Sequence, residues 1–163
     1  MKVVLIIVVL LVAGYFWYEH DSAPPVSGPP VVTDPWYVEI RGTNNMGEGR
    51  EVELALFARA LNEKDCLDGT RKGWANFART CPTCTSEAPK CQQELPPRYA
   101  RLFDDAPIAS AYLSGTAATA NERDIRVVVY GLTDTEALTV CERMRKELRK
   151  NFTGATHCVG PSN

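Results

Sequence analysis

Residues 125–152 read IRVVVYGLTDTEALTVCERMRKELRKNF and hold the two most regular patterns in the chain. The first six residues, 125–130, are rich in β-branched side chains and alternate in polarity, which predicts a strand. Residues 133–136, TDTE, have the form of a capping box, which predicts that a helix begins there. A strand followed directly by a capped helix is typical of a domain that mixes helices with a sheet.

The helix predicted after residue 133 has one apolar face. The side chains at helical spacing on this face are Ala137, Cys141, Met144, Leu148 and Phe152. Gly154 follows them and favours the end of the helix. Residues 155–159, ATHCV, then predict a short final strand that runs beneath the apolar face.

Further strands are predicted upstream. Residues 108–113, IASAYL, form one, and the polar residues 115–123 connect it to the strand at 125. Residues 36–40, WYVEI, alternate in polarity and predict the first strand. Residues 50–62, REVELALFARALN, are interpreted as a helix with a broad apolar face, although residues 51–56 also alternate as a strand would.

The resulting element order over residues 36–163 is β-α-insertion-β-β-α-β. This order predicts an α+β fold, the ferredoxin-like split βαβ sandwich, in which a four-stranded antiparallel sheet carries two helices on one face. The insertion is residues 63–107, which hold four cysteines and five prolines. We expect it to be irregular and held together by disulfides.

The N-terminal residues predict a membrane anchor. Residues 3–18, VVLIIVVLLVAGYFWY, carry no charge. As a helix they would span about 24 Å of a hydrocarbon core of about 30 Å, with the aromatic residues 15–18 at the level of the headgroups. We expect residues 1–18 to be a retained signal anchor, a single transmembrane helix of the inner (plasma) membrane with a cytoplasmic N-terminus. A cleaved signal peptide and a secreted domain are the alternative.

Residues 19–35, EHDSAPPVSGPPVVTDP, predict a linker. Their five prolines bias the chain toward an extended polyproline conformation, which is typical of spacers. We therefore expect the domain at 36–163 to stand in the periplasm at a distance from the bilayer.

The chain has six cysteines, and an even number in an exported domain predicts disulfide bonds. We expect Cys141 on the last helix to pair with Cys158 in the last strand. The other four should form two bridges within the insertion, in a pairing that the sequence leaves open: Cys66, Cys81, Cys84 and Cys91.

The cysteines of the insertion admit two other interpretations. Cys81-Pro82-Thr83-Cys84 fits the CxxC motif of thiol-disulfide oxidoreductases, whose reactive thiolate usually lies at a helix N-terminus. The same four cysteines could hold zinc, but oxidation competes in an oxidising compartment, so we predict no metal site. Asp104-Asp105 is interpreted as a solvated loop rather than a ligand site. We predict no catalytic residue and no cofactor.

The charge balance argues against nucleic acid as a partner. The net charge is −2, and the one basic run lies late in the helix predicted after residue 133. Cations there complement the carboxyl end of the helix dipole. Nucleic-acid binding usually requires a concentrated basic surface, and the sequence predicts none.

Two stretches resemble a known family. Residues 36–40 are similar to the first strand of SPOR domains, and residues 125–137 are similar to their third strand and second helix. The layout of a short apolar anchor, a Pro-rich spacer and a C-terminal βαββαβ domain is also similar. The resemblance implies binding to the glycan strands of peptidoglycan in a bacterial envelope. Arg41-Gly42-Thr43 and the cysteine-rich insertion depart from the family pattern, and no glycan-binding residue is carried over.

These observations predict a membrane-anchored envelope protein whose periplasmic domain binds or scaffolds and is not an enzyme. We expect its partner to be an envelope protein or peptidoglycan. One alternative is a glycan-binding module like the SPOR domain. The other is a thiol-disulfide oxidoreductase that uses Cys81 and Cys84.

Overall fold

A computed structural model describes residues 28–47 and 49–162 of the 163-residue chain. The anchor expected at residues 1–18 and the first part of the linker lie outside the described residues. Among the residues described, none of the helices has the length and apolar character that a membrane span requires.

The described part is an α+β domain built on one sheet of seven strands, and every strand pair is antiparallel. The strands are β1 (Trp36–Asn45), β2 (Glu51–Ala60), β3 (Thr85–Ser86), β4 (Lys90–Gln92), β5 (Tyr112–Thr116), β6 (Asp124–Tyr130) and β7 (Ala155–Val159). The helices are α1 (Glu63–Thr80), α2 (Pro97–Ala100) and α3 (Asp134–Leu148), with a 3₁₀ turn at Arg101–Asp104. The strand order is β3-β1-β2-β6-β5-β7, and β4 also pairs with β1.

The C-terminal elements confirm their sequence patterns. β6 and β7 lie where residues 125–130 and 155–159 predict strands. Both hydrogen bonds of the capping box are present between Thr133 and Glu136. The next strand upstream is shifted, since β5 begins at Tyr112 rather than at residue 108.

The helix predicted at residues 50–62 is wrong, because these residues form strand β2. β2 pairs with β1 on one side and with β6 on the other, so it lies inside the sheet. Packed layers cover both faces, and consecutive residues of β2 are therefore buried. A strand buried on both faces can carry a nearly continuous apolar run, and residues 54–58 of β2, LALFA, form such a run and obscure the alternation at its start. β1 also extends past the strand predicted at residues 36–40 and reaches Asn45.

The prediction of an irregular insertion at residues 63–107 is wrong over its first part. Residues 63–80 form the 18-residue helix α1, and the side chain of Asn62 caps its N-terminus by accepting from the backbone N–H of Asp65. Only three residues of α1 are buried, so its apolar pattern is sparse: Cys66, Gly73 and Phe77. The rest of the segment holds β3, β4, α2 and the 3₁₀ turn.

The sheet extends the expected four-stranded sandwich and rearranges it. β2, α1 and β5 form a split unit, because β6 lies between β2 and β5 and runs antiparallel to both. β1 takes the position beside β2, and β7 lies on the far side of β5. The final strand therefore closes the opposite edge from the one that a four-stranded ferredoxin-like sandwich would use.

The two faces of the sheet carry different layers. α1 and α3 cover one face, here called the helix face, over a core that includes Val38, Leu56 and Val127. The segment at residues 95–108 covers the opposite face and buries Tyr99 and Leu102 there. This opposite face, here called the arginine face, carries the features of the candidate site.

Candidate functional site: a cleft beside the arginine face

Three arginines from neighbouring strands point to the arginine face: Arg41 of β1, Arg59 of β2 and Arg126 of β6. Strand alternation places them there, because the residues on either side of each arginine belong to the opposite face. Charged side chains are rarely buried without partners, so each needs compensation from the sheet or from the segment packed above it.

Arg41 lies beneath α2. Its guanidinium is 4.4 Å from the ring centroid of Tyr99 and 5.6 Å from that of Phe57, both within the range of a cation–π contact. Glu39 accepts from its Nε, and Glu53 accepts from its Nη1 at 2.7 Å. Burial opposes the charge, but the hydrogen bonds to Glu39 and its neighbours outweigh it and raise the pKa of Arg41. Arg41 therefore stays positively charged, and the carboxylates of Glu39 and Glu53 accept its hydrogen bonds.

Arg126 holds the covering segment to the sheet. It is only 2% exposed and donates to the carbonyl oxygens of Leu102 at 2.7 Å and Gly115 at 2.9 Å. Its guanidinium also lies 4.9 Å from the ring centroid of Phe103. Burial lowers the pKa of Arg126. These contacts join strand β6 to Leu102 and Phe103 of the covering segment. They therefore hold the 3₁₀ turn against the sheet.

Asp105 completes this anchor. It adopts a left-handed conformation with φ of 54° at the end of the 3₁₀ turn. Its Oδ1 accepts from the hydroxyl of Ser114 at 2.6 Å and lies 3.3 Å from Nη2 of Arg126. Its Oδ2 is 3.4 Å from Nε2 of His157. Asp104 is exposed, as the solvated loop predicted for Asp104-Asp105 requires, whereas Asp105 is partly exposed and its carboxylate is also a structural tie.

A cleft of about 280 Å³ opens where the covering segment leaves the sheet. It lies between β2, the end of β6, α2 and the loop before β5, and its lining residues are Glu53, Arg98, Tyr99, Ile108, Ala109 and Tyr130. Burial raises the pKa of Tyr130, so its hydroxyl stays protonated at neutral pH and is available as a donor.

The lining combines aromatic surface with one charge of each sign. The guanidinium of Arg98 lies 4.3 Å from the ring centroid of Tyr99 on an exposed side of α2. Glu53 faces the cleft from the sheet while it holds Arg41. Aromatic and apolar surface with a few fixed polar groups is typical of a binding site. The arrangement can hold a side chain or small group that has an apolar body and a polar end.

The six cysteines form three disulfides. Cys141 is joined to Cys158, the pair favoured by the sequence, with a Cα–Cα distance of 6.0 Å. In the insertion, the open pairing is resolved as Cys66–Cys91 and Cys81–Cys84. All four cysteines considered for zinc are therefore oxidised.

The CPTC pair differs from the arrangement of a reactive thiol. Cys81 is the C-cap of α1, so it lies at the carboxyl end of the helix, and it is only 2% exposed. The dipole at a helix carboxyl end disfavours a thiolate, whereas reactive thiolates usually lie at the amino end. Cys84 is half-buried.

Sequence reasoning missed the cleft. Arg98 and Tyr99 fall in the segment predicted to be irregular, and Glu53 falls in the segment predicted to be a helix. One signal was available nearby: Arg126 is a single charge inside the apolar run at residues 125–130, which points to a partnered buried cation.

Comparison with known proteins finds no matching family model, no similar curated protein and no similar solved structure. Disulfides form and persist in oxidising compartments, so the three bridges indicate an extracytoplasmic domain.

Proposed function

We propose that the chain is a non-enzymatic binding or scaffolding protein of the cell envelope. Residues 1–18 anchor it in the inner membrane, and the folded domain at 36–163 holds an envelope protein partner in the periplasm. The observation that carries this proposal is the cleft, because it joins two tyrosines to an exposed guanidinium and a carboxylate on a rigid support.

The size of the cleft favours a protein partner. Pockets that enclose small molecules usually have volumes of about 300–1,000 Å³. At about 280 Å³ the cleft lies at the small end of this range, and it is open to solvent rather than enclosed. Such a recess suits one or two anchoring side chains from a partner surface, which is how binding hot spots are built. The exposed Arg98 would then complement an acidic group on that partner.

The support for the cleft is stiff for a physical reason. Arg126 fixes the covering segment from below, and the hydroxyl of Tyr112 donates to the carbonyl oxygen of Ala106 at 2.9 Å. A preorganised site loses little conformational entropy when it binds. This stiffness favours recognition of a folded partner without a rearrangement of the cleft.

The test is a pull-down of the full chain from membranes in mild detergent. We expect Tyr130→Ala and Arg98→Ala to release a partner that wild type retains, with an affinity loss of about tenfold or more for an anchor contact. Arg143→Ala is the matched control, because Arg143 is exposed on α3 and outside the cleft. A wild-type chain that purifies without any partner would refute the proposal.

Peptidoglycan is the alternative ligand, which the resemblance to SPOR domains suggests. The same variants distinguish the two ligands in a co-sedimentation assay with purified sacculi. Sedimentation of wild type and Arg143→Ala, with loss of Tyr130→Ala from the pellet, would favour glycan binding. Absence of the wild-type chain from the pellet would leave the protein partner as the ligand class.

A redox role is a second candidate, and the Cys81–Cys84 bridge is the observation that favours it. In such a role the bridge would accept two electrons and two protons from a dithiol such as dithiothreitol, which would leave as a disulfide, and the resulting Cys81/Cys84 dithiol would pass them to a disulfide substrate such as insulin. The burial of Cys81 and its place at a helix carboxyl end argue against rapid exchange. We expect no catalysis of insulin reduction by the full chain; measurable turnover that Cys81→Ala abolishes would establish the redox role.

A further inference from the structure

The two edges of the sheet differ within the described residues. On one edge, β3 and β4 both pair with β1, and the Cys66–Cys91 bridge ties β4 to α1. On the other edge, β7 pairs with β5 on its inner side, and no strand of residues 28–47 or 49–162 pairs with its outer side. The first edge is therefore covered only by strands of two and three residues, whereas β7 offers five residues to a further strand.

The sequence of β7 does not block pairing. It reads ATHCV and contains neither lysine nor proline nor a carboxylate, which are the residues that natural edge strands use against association. Its first and third residues, Ala155 and His157, are exposed. An open edge strand of this composition is a template for another strand.

Helix α3 lies beside this edge. It packs on β5 and β7, and the Cys141–Cys158 bridge fixes it to β7. At 100° per residue, Leu138 and Arg145 lie on the flank of α3 that adjoins Cys141, which is the flank toward the open edge. Leu138 is 39% exposed and is one of three exposed large hydrophobic residues in the described part of the chain.

We propose that the open edge is a dimer interface, in which β7 pairs antiparallel with β7 of a second copy of this chain. The pair is related by a two-fold axis normal to the sheet, so α3 of each copy lies on the same face. This arrangement joins the two seven-stranded sheets into one continuous sheet.

The spacing of the helices supports a second copy. Neighbouring strands are about 4.8 Å apart. Because α3 packs on both β5 and β7, we place its axis between them, about half a spacing inside β7. The two-fold axis lies half a spacing outside β7. The two α3 axes are then about 10 Å apart, which matches the distance of about 8–10 Å at which helices pack.

The side chains of the flank also favour a second copy over a single peptide strand. A peptide would satisfy the backbone of β7 but would leave Leu138 exposed, whereas a second α3 covers it. Glu142 and Arg145 already form an ion pair at 2.8 Å on this flank. Antiparallel helices bring the carboxylate of one copy near the guanidinium of the other, as a self-complementary two-fold interface requires.

Sedimentation of the full chain in mild detergent tests the interface. We expect a concentration-dependent dimer, and we expect Leu138→Arg to raise the dissociation constant about tenfold or more, because it places like charges in an apolar contact. Leu67→Arg is the matched control, since Leu67 is also exposed on a helix but α1 packs near the covered edge. Tyr130→Ala should leave the dimer unchanged, which separates this interface from the cleft.

A photo-crosslinking amino acid at position 157 identifies the occupant in the native compartment. A product of twice 18.0 kDa that Leu138→Arg removes and Leu67→Arg retains supports the proposal. A product that contains a different protein shows that the edge takes a foreign strand and overturns it. Monomers at every concentration, with no crosslinked product, overturn it as well.

Discussion

The ring of Phe77 on α1 packs directly against the backbone of Gly42 in β1. A Cβ atom at position 42 would lie 2.0 Å from Cζ of Phe77 and 2.8 Å from Cε1. The absence of a side chain at Gly42 therefore lets α1 approach the sheet. Phe77 is 2% exposed, so its ring is enclosed by the core on its other sides.

Substitution of Gly42 by alanine should loosen this contact. We expect Gly42→Ala to lower the free energy of unfolding by about 1–3 kcal/mol, because a buried ring or the helix itself must shift. Chemical denaturation measures the change. Gly160→Ala is the control, since a Cβ there meets no atom within 4 Å and should change stability little. Equal stability of Gly42→Ala and wild type would show that α1 does not lie this close to β1.

Replacement of the buried cation Arg126 should release the covering segment. We expect Arg126→Met to destabilise the domain by about 3–5 kcal/mol, because the carbonyl oxygens of Leu102 and Gly115 lose a charged donor and Asp105 loses its partner. Hydrogen exchange should show the earliest loss of protection at residues 101–106. The exposed Arg149→Met is the control, and uniform loss of protection in Arg126→Met would contradict the local role.

The contact between Asp65 and Arg123 should make stability depend on acid pH. Burial disfavours the ionised carboxylate, but two hydrogen bonds from Arg123, at 2.7 and 3.0 Å, outweigh it and lower the pKa of Asp65. A lowered pKa means that the stabilisation is present above the unfolded-state value of about 3.9 and is lost as the pH falls through the folded-state value.

We therefore expect Asp65→Asn to cost about 1.5–3 kcal/mol at pH 7, and the difference from wild type to shrink below about pH 4. Denaturation series at several pH values measure this difference. Asp68→Asn is the control, because its pair with Arg71 is exposed and should contribute little. If the difference in unfolding free energy between Asp65→Asn and wild type stayed constant down to about pH 2, the contact with Arg123 would not lower the pKa of Asp65.

The loss of stability on removal of a disulfide should increase with the length of the loop that the disulfide closes. Cys141 and Cys158 are 17 residues apart, whereas Cys81 and Cys84 are three apart. In the chain-entropy model, replacement of the first pair by alanine costs about 3 kcal/mol and replacement of the second about 2 kcal/mol. Denaturation of both double variants without reductant gives the order. A larger loss from the CPTC pair would indicate a packing role for Cys81 beyond the crosslink.

The C-terminal part of the fold follows from local patterns. The β-branched content of residues 125–130 favours a strand, and the reciprocal bonds of Thr133 and Glu136 form within four residues. The apolar spacing of α3 agrees with the structure because this helix packs one face on the sheet, whereas β6 is covered on both faces. Local and tertiary preferences coincide there, and the sequence suffices.

The central strand and the cleft depend on distant contacts. β2 is buried on both faces and between two strands, so tertiary pairing decides against the helical pattern that its residues also fit. The cleft joins Glu53, Tyr99 and Tyr130, which are separated by dozens of residues. Their proximity follows from the pairing of β2 with β6 and from the path of the covering segment. No local pattern encodes either.

The pairing register of β1 and β2 places the start of β1 and the cleft at different ends of the sheet. The chain enters at Trp36, which pairs with Ala60, whereas Glu53 of the cleft pairs with Thr43 on β1. Seven residues of extended strand separate Trp36 from Thr43, a distance of about 23 Å. Within the described residues, strand β1 therefore begins at one end of the sheet, and the cleft opens near the other. A partner in the cleft would bind at the end of the sheet remote from Trp36.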